Sequence, residues 1–418
     1  MNNVCCDQAP LKALKNLDEA ISELQAATGT NSSDKLIIET IPILDALNRT
    51  LATDVYSQIN VPPADNSAVD GYALSIEDFS PHKSIAISQR IPAGQAPLPL
   101  QKLTTARIFT GAHIPEGANA VVMQENIVLN DDKTHIYVSE EFKLGQNIRP
   151  MGQDIKKGDL ILNKGSVITP QRLALIASVG IDKINVYKAL KVAILSTGDE
   201  LVEPGQEVKK GQIYNSNRYL LSGFLKSLNF DIIDFGVIKD DLDSTLSVLK
   251  KAAQEADIVI TTGGASVGEE DYIQSAIEKL GNVDFWKVAI KPGKPVMLGN
   301  INNTPILGLP GNPGAVFVTF MILARPFLLH KQGLNNTRTK PYSLPINFDI
   351  KKAGKRREFM RVRRNANNIL DVHPNQSSGM LSSASWAEGL AVIMENTAPQ
   401  KGDVVDFIPF DTLFNLNN

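Results

Sequence analysis

Asp-Ile-Val-Ile-Thr-Thr-Gly-Gly-Ala-Ser-Val-Gly-Glu-Glu-Asp-Tyr, residues Asp257 to Tyr272, decides how the chain is read. Ile258, Val259 and Ile260 form a short apolar run of the kind that makes a buried strand, and the run breaks at Gly263-Gly264. A helical pattern follows, with Tyr272, Ile273, Ala276, Ile277 and Leu280 on one face. Strand, glycine turn and helix N-terminus leave backbone N–H groups facing an anion. Gly263 to Gly268 has the spacing of a P-loop, but Glu269-Glu270 occupy the Lys-Ser/Thr positions, so this is not one. A glycine cradle rimmed by Glu269, Glu270 and Asp271 suits a phosphate that arrives with a divalent cation. The same acids would equally well cap the helix and complement its dipole.

Around this stretch, residues 190–330 alternate strands and amphipathic helices. Strands are predicted at Val192–Leu195, Ile232–Val237, Ile258–Ile260, Val296–Leu298 and Ile306–Leu309, with helices near 216–228, 243–256, 271–280 and 313–330. That alternation predicts a doubly wound parallel sheet with ligands beyond the carboxyl ends of its strands. The strand-end loops are Ser196-Thr197-Gly198-Asp199-Glu200, Lys239-Asp240-Asp241, the glycine cradle, and Gly308-Leu-Pro-Gly-Asn-Pro-Gly314. The last of these starts a helix on proline and glycine and is expected to leave its N–H groups open. Lys287, Lys291 and Lys294 fall near the same rim. Each feature has an ordinary structural explanation, but together they describe a polyanion site with metal or proton chemistry beside it.

Upstream, residues 11–29 read as an amphipathic helix with Leu14, Leu17, Ile21 and Leu24 on one side. Thr40–Thr50 reads as a second helix started by Pro42. Residues 59–150 carry short β-branched runs at Ser84–Ile91, Ala106–Phe109, Ala120–Met123 and His135–Val138, which predict a small all-β unit. Within it, Asp65, Asn66, Ser67 and Asp70 crowd into one turn after Pro62-Pro63; this is either a binding loop or a polar surface turn. Thr110-Gly111 closes a strand nearby. Segments flanking the β unit, including a helix at Pro170–Val179, read as one region interrupted by an insertion. After Pro345 the chain is β again, with Phe359–Val362, Leu370–Val372, Leu390–Met394 and Val404–Pro409 suiting a small barrel or sandwich. Its basic strip from Lys351 to Arg364 is a solvated strand face or an anion-steering rim. The hydroxyl-rich loop Gln376-Ser377-Ser378-Gly379 could close over a site.

Composition narrows the class. The chain has 418 residues, 43% hydrophobic and 21% charged, as expected of a multidomain globular protein. A net charge of −3 argues against bulk nucleic-acid binding. The only cysteines, Cys5 and Cys6, are adjacent, and the histidines show no metal-ligand spacing, so any metal is expected on oxygen ligands and to be Mg²⁺. Residues 1–30 lack a signal-peptide core, and the apolar run Ala315–Ala324 is too short to cross a bilayer. A cytoplasmic enzyme or binding protein is expected.

The motifs together resemble the MoeA family of molybdopterin molybdenumtransferases, whose animal relative is the C-terminal region of gephyrin. The matching residues run from Pro62 to Ala73, then Thr110-Gly111, Asn147-Ile148-Arg149-Pro150, Ser196 to Leu201, Thr262 to Tyr272, Lys291-Pro292-Gly293-Lys294-Pro295 and Gly308 to Pro313. The sequence departs from the family at Val69, where Met is common, and at Gln153, where an acid is common. The resemblance implies a discontinuous linking and dimerisation domain (11–57 and 153–188), an inserted β domain (58–152), a MogA-like α/β domain (189–337) and a C-terminal β-barrel (338–418). It implies a homodimer whose active cleft is shared between subunits. Molybdate is inserted there into adenylylated molybdopterin, AMP is released, and Mg²⁺ activates the reaction.

The resemblance also implies the site. Asp65, Asp70, Thr110, Glu200, Asp271, Lys287 and Lys291 would be catalytic. Thr197, Gly198, Gly263, Gly264, Ser266, Gly268, Lys294, Pro310, Gly311, Asn312, Pro313 and Ser378 would hold the cofactor precursor. Glu200, Asp240 and Asp271 would bind metal. A molybdopterin adenylyltransferase and molybdoenzyme-maturation proteins are implied as partners. The competing readings are a non-catalytic scaffold of the same fold, or an adenylyltransferase or CinA-like nucleotide enzyme. The Asp65–Tyr72 loop speaks against the nucleotide enzymes, which do not normally carry it.

Overall fold

The computed structural model describes residues 14–26, 36–79, 83–138, 141–263 and 272–414. The two cysteines lie outside them. An antiparallel run of pairings folds the first third of the chain back on a later stretch. Ile38–Pro42 pairs with Lys183–Tyr187, Val55–Tyr56 with Leu160–Leu162, Val61 with Ile155, and Asn66–Ser67 with Ile148–Arg149. Ala46, Leu51 and Val55 share one small core with Leu162, Ile168, Ile176 and Val186. The sequence from 71 to 138 then forms a separate six-stranded sheet with cores of its own.

The expected helix at Thr40–Thr50 does not form. The β-branched run ending at Ile41 makes the Ile38–Pro42 strand, and Pro42 ends that strand before a single 3-10 turn at Ile43–Asp45. A proline that lacks an N–H can close an edge strand as readily as open a helix.

The α/β sheet has the order Asp231–Ile238, Lys191–Thr197, Ile258–Thr262, Thr304–Leu309, Met297–Ile301, Asn282–Trp286. The first four strands are parallel, but the last two join antiparallel, so the sheet is mixed rather than all-parallel. The reason is local. Only Asn302 and Asn303 separate two of the strands, and both take positive φ (50° and 71°). Two such residues make a hairpin turn, whereas a parallel crossover needs about a dozen residues. The Asn282–Trp286 strand itself was not anticipated.

Helices cover both faces. The one from Pro313 to Lys331 is 19 residues long and apolar enough to span a bilayer by composition, but 83% of its apolar window is buried inside the protein. It is a core helix. It widens into a π turn at Phe320–Ala324 just before Pro326, which spares the clash a proline makes with the carbonyl four residues back.

The C-terminal strands order as Ile290–Lys291, Arg357–Arg364, Gly389–Ile393, Val404–Pro409, Tyr342–Pro345, with Leu370–Val372 on the free side of Arg357–Arg364. A bridge from Ile346 to Leu370 brings the ends of this sheet together. One continuous core joins it to the α/β sheet, through residues such as Leu298, Phe317, Phe359 and Leu390. The N-terminal helix Leu17–Ala26 buries Leu17, Ala20 and Leu24 in that same core. Leu24 is 1% exposed, so Leu24→Ala is expected to cost about 2–4 kcal/mol in chemical denaturation, whereas Ser22→Ala on the outer face should cost under about 0.5.

Candidate active site

Strand register sets the floor of the site. Ser196 lies beside Thr262, and Thr262 beside Leu309, so three strands end level with one another. Their loops open onto a cleft of about 640 Å³. Thr197 and Glu200 come from the first loop, Gly263 from the second, and Pro310, Gly311, Asn312 and Pro313 from the third. Gly263 has φ of +81°, and a Cβ there would stand 2.6 Å from the Thr197 carbonyl oxygen. Only glycine lets the two loops meet. Gly198 is required by its backbone, since its φ of +140° strains any residue with a Cβ.

A third element closes this side. Asn215 caps the helix Ser216–Ser227, accepting from the Arg218 N–H at 3.3 Å. Asn217, 8% exposed, donates its Nδ2 to the Gly311 carbonyl at 2.7 Å and so ties that helix to the Gly-Asn-Pro loop. Its Oδ1 is buried with no hydrogen-bond partner. The Tyr214-Asn215-Ser216-Asn217 stretch was not singled out from sequence; capping residues ahead of an apolar periodic run were the available signal.

The remaining lining is basic. Lys291 and Lys294 come from the connection between the two antiparallel edge strands, and Arg356 from the start of the Arg357–Arg364 strand. Gln376, Ser377 and Ser378 complete it. The Ser378 carbonyl accepts from the Ala315 N–H at 3.2 Å, so the Pro313 helix start is covered at this point rather than open as expected. Arg361 braces the loop from behind. It is 1% exposed, donates Nη2 to the Ser377 carbonyl at 3.0 Å and Nε to Ser383 Oγ at 3.1 Å, and its backbone N–H donates to Gln376. Burial holds its pKa below the usual arginine value.

The basic strip is divided: Lys351, Lys352, Lys355, Arg363 and Arg364 are exposed, whereas Arg356, Arg357 and Arg361 turn inward. Arg356 enters the cleft, Arg357 pairs with Asp18 and Glu395, Arg361 is internal, Arg363 stacks on Trp386 and Arg364 pairs with Glu388.

Other expected residues lie elsewhere. Lys287 does not line the cleft; its N–H donates to the Val296 carbonyl at the start of the lysine-bearing connection. Asp240 sits just beyond the cleft, opposite Asp199, and each accepts the other's backbone N–H at 3.3 Å. Gly264, Ser266, Gly268 and Asp271 lie outside the described residues. Among the described residues no three acids, histidines or cysteines cluster as metal ligands. Asp65, Asp70 and Thr110 gather in the inserted β unit and do not line this cleft. Asp65 accepts the Met151 N–H at 2.7 Å, and Asp70 accepts both the N–H and the Oγ1–H of Thr110 at 2.8 Å.

A cleft lined by hydroxyls, helix starts and three cations defines a multidomain α/β enzyme built around an anionic ligand. The sequence matches the MoeA N-terminal region (domains I and II) over residues 15–180, a molybdopterin-binding domain over 193–330 and the MoeA C-terminal region (domain IV) over 343–410. It is 43% identical to the molybdopterin molybdenumtransferase of Haemophilus influenzae, over 77% of this chain and 80% of that protein. It is 34% identical to a putative molybdopterin biosynthesis protein of Methanocaldococcus jannaschii, covering 88% and 91% of the two. The solved molybdopterin biosynthesis MoeA protein of Pyrococcus horikoshii superposes with a TM-score of 0.82 at 31% identity, over 94% of this chain and 99% of that one. The chain belongs to the MoeA family of molybdopterin molybdenumtransferases, transferases of molybdenum cofactor biosynthesis.

The Thr110 donors hold the Asp70 carboxyl below its ordinary pKa. A group lowered on folding adds stability above its unfolded pKa and loses it as pH falls through the folded value. Thr110→Val removes one of the two donors, so carboxyl NMR titration should show the Asp70 pKa rising toward the normal aspartate range.

Proposed function

We propose that this protein inserts molybdate into adenylylated molybdopterin, giving Mo-molybdopterin and AMP, in the cytoplasm. The observation that carries this reading is the convergence of Lys291, Lys294 and Arg356 on a cleft that Thr197, Gly263 and the Pro310–Pro313 loop also line. Molybdate is a dianion and its partner carries phosphates, so repulsion opposes their meeting. The cations screen it, and Lys291 and Lys294 stabilise charge that builds as the anhydride opens. Gly263, Gly311 and Asn312, with Gly264, Ser266 and Gly268, hold the phosphate end, and Ser378 closes over the ligand. The protein's main work is to orient and neutralise. A scaffold or nucleotide-enzyme reading is not favoured, because the family match runs through all three parts of the chain.

The acids at this edge are of the type Mg²⁺ takes, but Asp199, Glu200 and Asp240 do not by themselves cluster as a ligand set, so an ion there depends on Asp271. Glu200 is an exposed carboxylate in the cleft, and Asp199 and Asp240 face each other just beyond it, all hard oxygen donors. Glu200 and Asp240 would hold the ion together with Asp271. When bound it would neutralise phosphate charge.

The chain divides, in this reading, into a linking domain (11–57 and 153–188), an inserted β domain (58–152), a MogA-like α/β domain (189–337) and a C-terminal barrel (338–418). Separate small cores in the linking segment, the inserted unit and the C-terminal sheet support it, while the Leu17–Ala26 helix packs in the core of the α/β sheet. The working form is a homodimer in which Asp65, Asp70 and Thr110 reach the partner's cleft. Two observations support this: those residues do not line their own chain's cleft, and Ile37, Ile38 and Leu44 expose apolar side chains on the linking segment.

Lys294→Met should raise KM for molybdate about tenfold or more in an AMP-release assay while leaving the melting temperature unchanged. Normal KM would remove Lys294 from the oxyanion site. At molybdate well below KM, where Asp70→Asn and Lys294→Met chains each run at about a tenth of the wild-type rate or less, mixed dimers should regain about half the wild-type rate, since one of the two clefts is then intact. No recovery on mixing would mean that each chain works with its own residues.

A further inference from the structure

We propose that Glu358 is a positioning residue that fixes the Lys291 ammonium at the edge of the cleft and sets how tightly an oxyanion is held there. The inference rests on the reading that Lys291 meets the oxyanion. Backbone register brings the two residues together: Ile290–Lys291 runs parallel to the Arg357–Arg364 strand, with Lys291 opposite Glu358. Lys291 Nζ is shared by both carboxylate oxygens, at 3.0 and 3.1 Å.

The pair is asymmetric. The lysine side chain is 51% exposed and lines the cleft, whereas that of Glu358 is 20% exposed and stands behind it. Glu395 and Asp18, the nearby acids, are taken by Arg357.

Two effects of opposite sign follow. A lysine on a flexible four-carbon stem is costly to order, and a carboxylate anchor keeps it in place before the ligand arrives. That same negative charge stands next to any dianion that reaches Lys291, and repels it. Glu358 therefore trades oxyanion affinity for a fixed lysine. Moderate affinity suits an enzyme that must turn the anion over rather than store it.

The test is molybdate titration calorimetry on the full-length protein, with wild type, Glu358→Gln, Lys291→Met and the double variant compared at low ionic strength. Glutamine keeps the shape and a hydrogen-bond acceptor but removes the charge, so Glu358→Gln should bind molybdate about tenfold tighter. The gain should shrink in about 0.5 M salt. In the Lys291→Met background the same substitution should bring a clearly smaller gain, about threefold or less, since only the relief of the Arg361 field remains. Unchanged or weaker binding by a folded Glu358→Gln, or an equal gain without Lys291, overturns the proposal while Lys291→Met alone still weakens binding. Should Lys291→Met leave molybdate affinity intact, the assignment of Lys291 fails first and this inference with it. Circular dichroism guards against misfolding. If Glu358→Gln is unstable, Glu358→Ala serves in its place, where any tightening relative to wild type supports the charge effect and weakening counts against it.

Discussion

Two residues of strand pairing organise the site. The connection from Trp286 to Met297 has to pass from one antiparallel edge strand of the α/β sheet to the next, and partway along it Ile290 and Lys291 pair with Arg357 and Glu358 of the C-terminal sheet. That short ladder joins two sheets that would otherwise meet only through side chains. Because the Asn282–Trp286 strand runs with the parallel strands and Met297–Ile301 runs against them, the connection lies at their carboxyl edge, level with Thr197, Thr262 and Leu309. The cleft is thus a product of topology before it is a product of side chains, as expected for α/β sheets.

Much of this could be read from the chain alone. The strands Ser84–Ile91, Ala120–Met123, His135–Val138, Leu370–Val372 and Val404–Pro409 occur at the predicted bounds, because each is a short β-branched or apolar run between turn residues. The helices at Pro170, Ser216 and Leu242 follow their caps. Where the reading failed, a local signal was outweighed. Pro42 suggested a helix start, but the preceding isoleucines had a strand partner some 140 residues away, which no local window contains. The all-parallel sheet failed for the reverse reason: Asn302-Asn303 was a local hairpin signal, and the strand alternation overrode it.

Within the candidate site, loops at strand ends were legible, because glycine, proline and acid clusters mark them. Thr197, Glu200, Gly263, Lys291, Lys294 and Asn312 do line one cleft. Arg356, Asn217 and Arg361 were not legible, for a shared reason. Each is one polar residue among many similar ones, and its role depends on which face of a strand or helix turns inward. Arg361 and Arg363 share a face of the Arg357–Arg364 strand, yet Arg361 lies inside the protein while Arg363, near the strand's end, is exposed against Trp386, a difference that neither alternation nor composition registers.

Arg361 also bears on how the basic wall works. A guanidinium buried to 1% exposure bears a large desolvation cost, normally met by a carboxylate. The hydrogen bonds it makes are to the Ser377 carbonyl and the Ser383 hydroxyl, and the coulombic partner that opposes its lowered pKa is Glu358. Carbonyl and hydroxyl dipoles satisfy donors without cancelling charge. The positive potential of Arg361 therefore persists behind the Gln376–Ser378 loop, where the anion would lie, and is offset mainly by the one acid that Lys291 also shares. Glu358 thus tempers two cations on this wall, Lys291 and Arg361, and the same arginine fixes the loop's backbone. Substituting methionine at 361 would lose both the brace and the field, whereas changing Ser383 alone would loosen the brace and leave the field in place, so the two contributions are separable in principle.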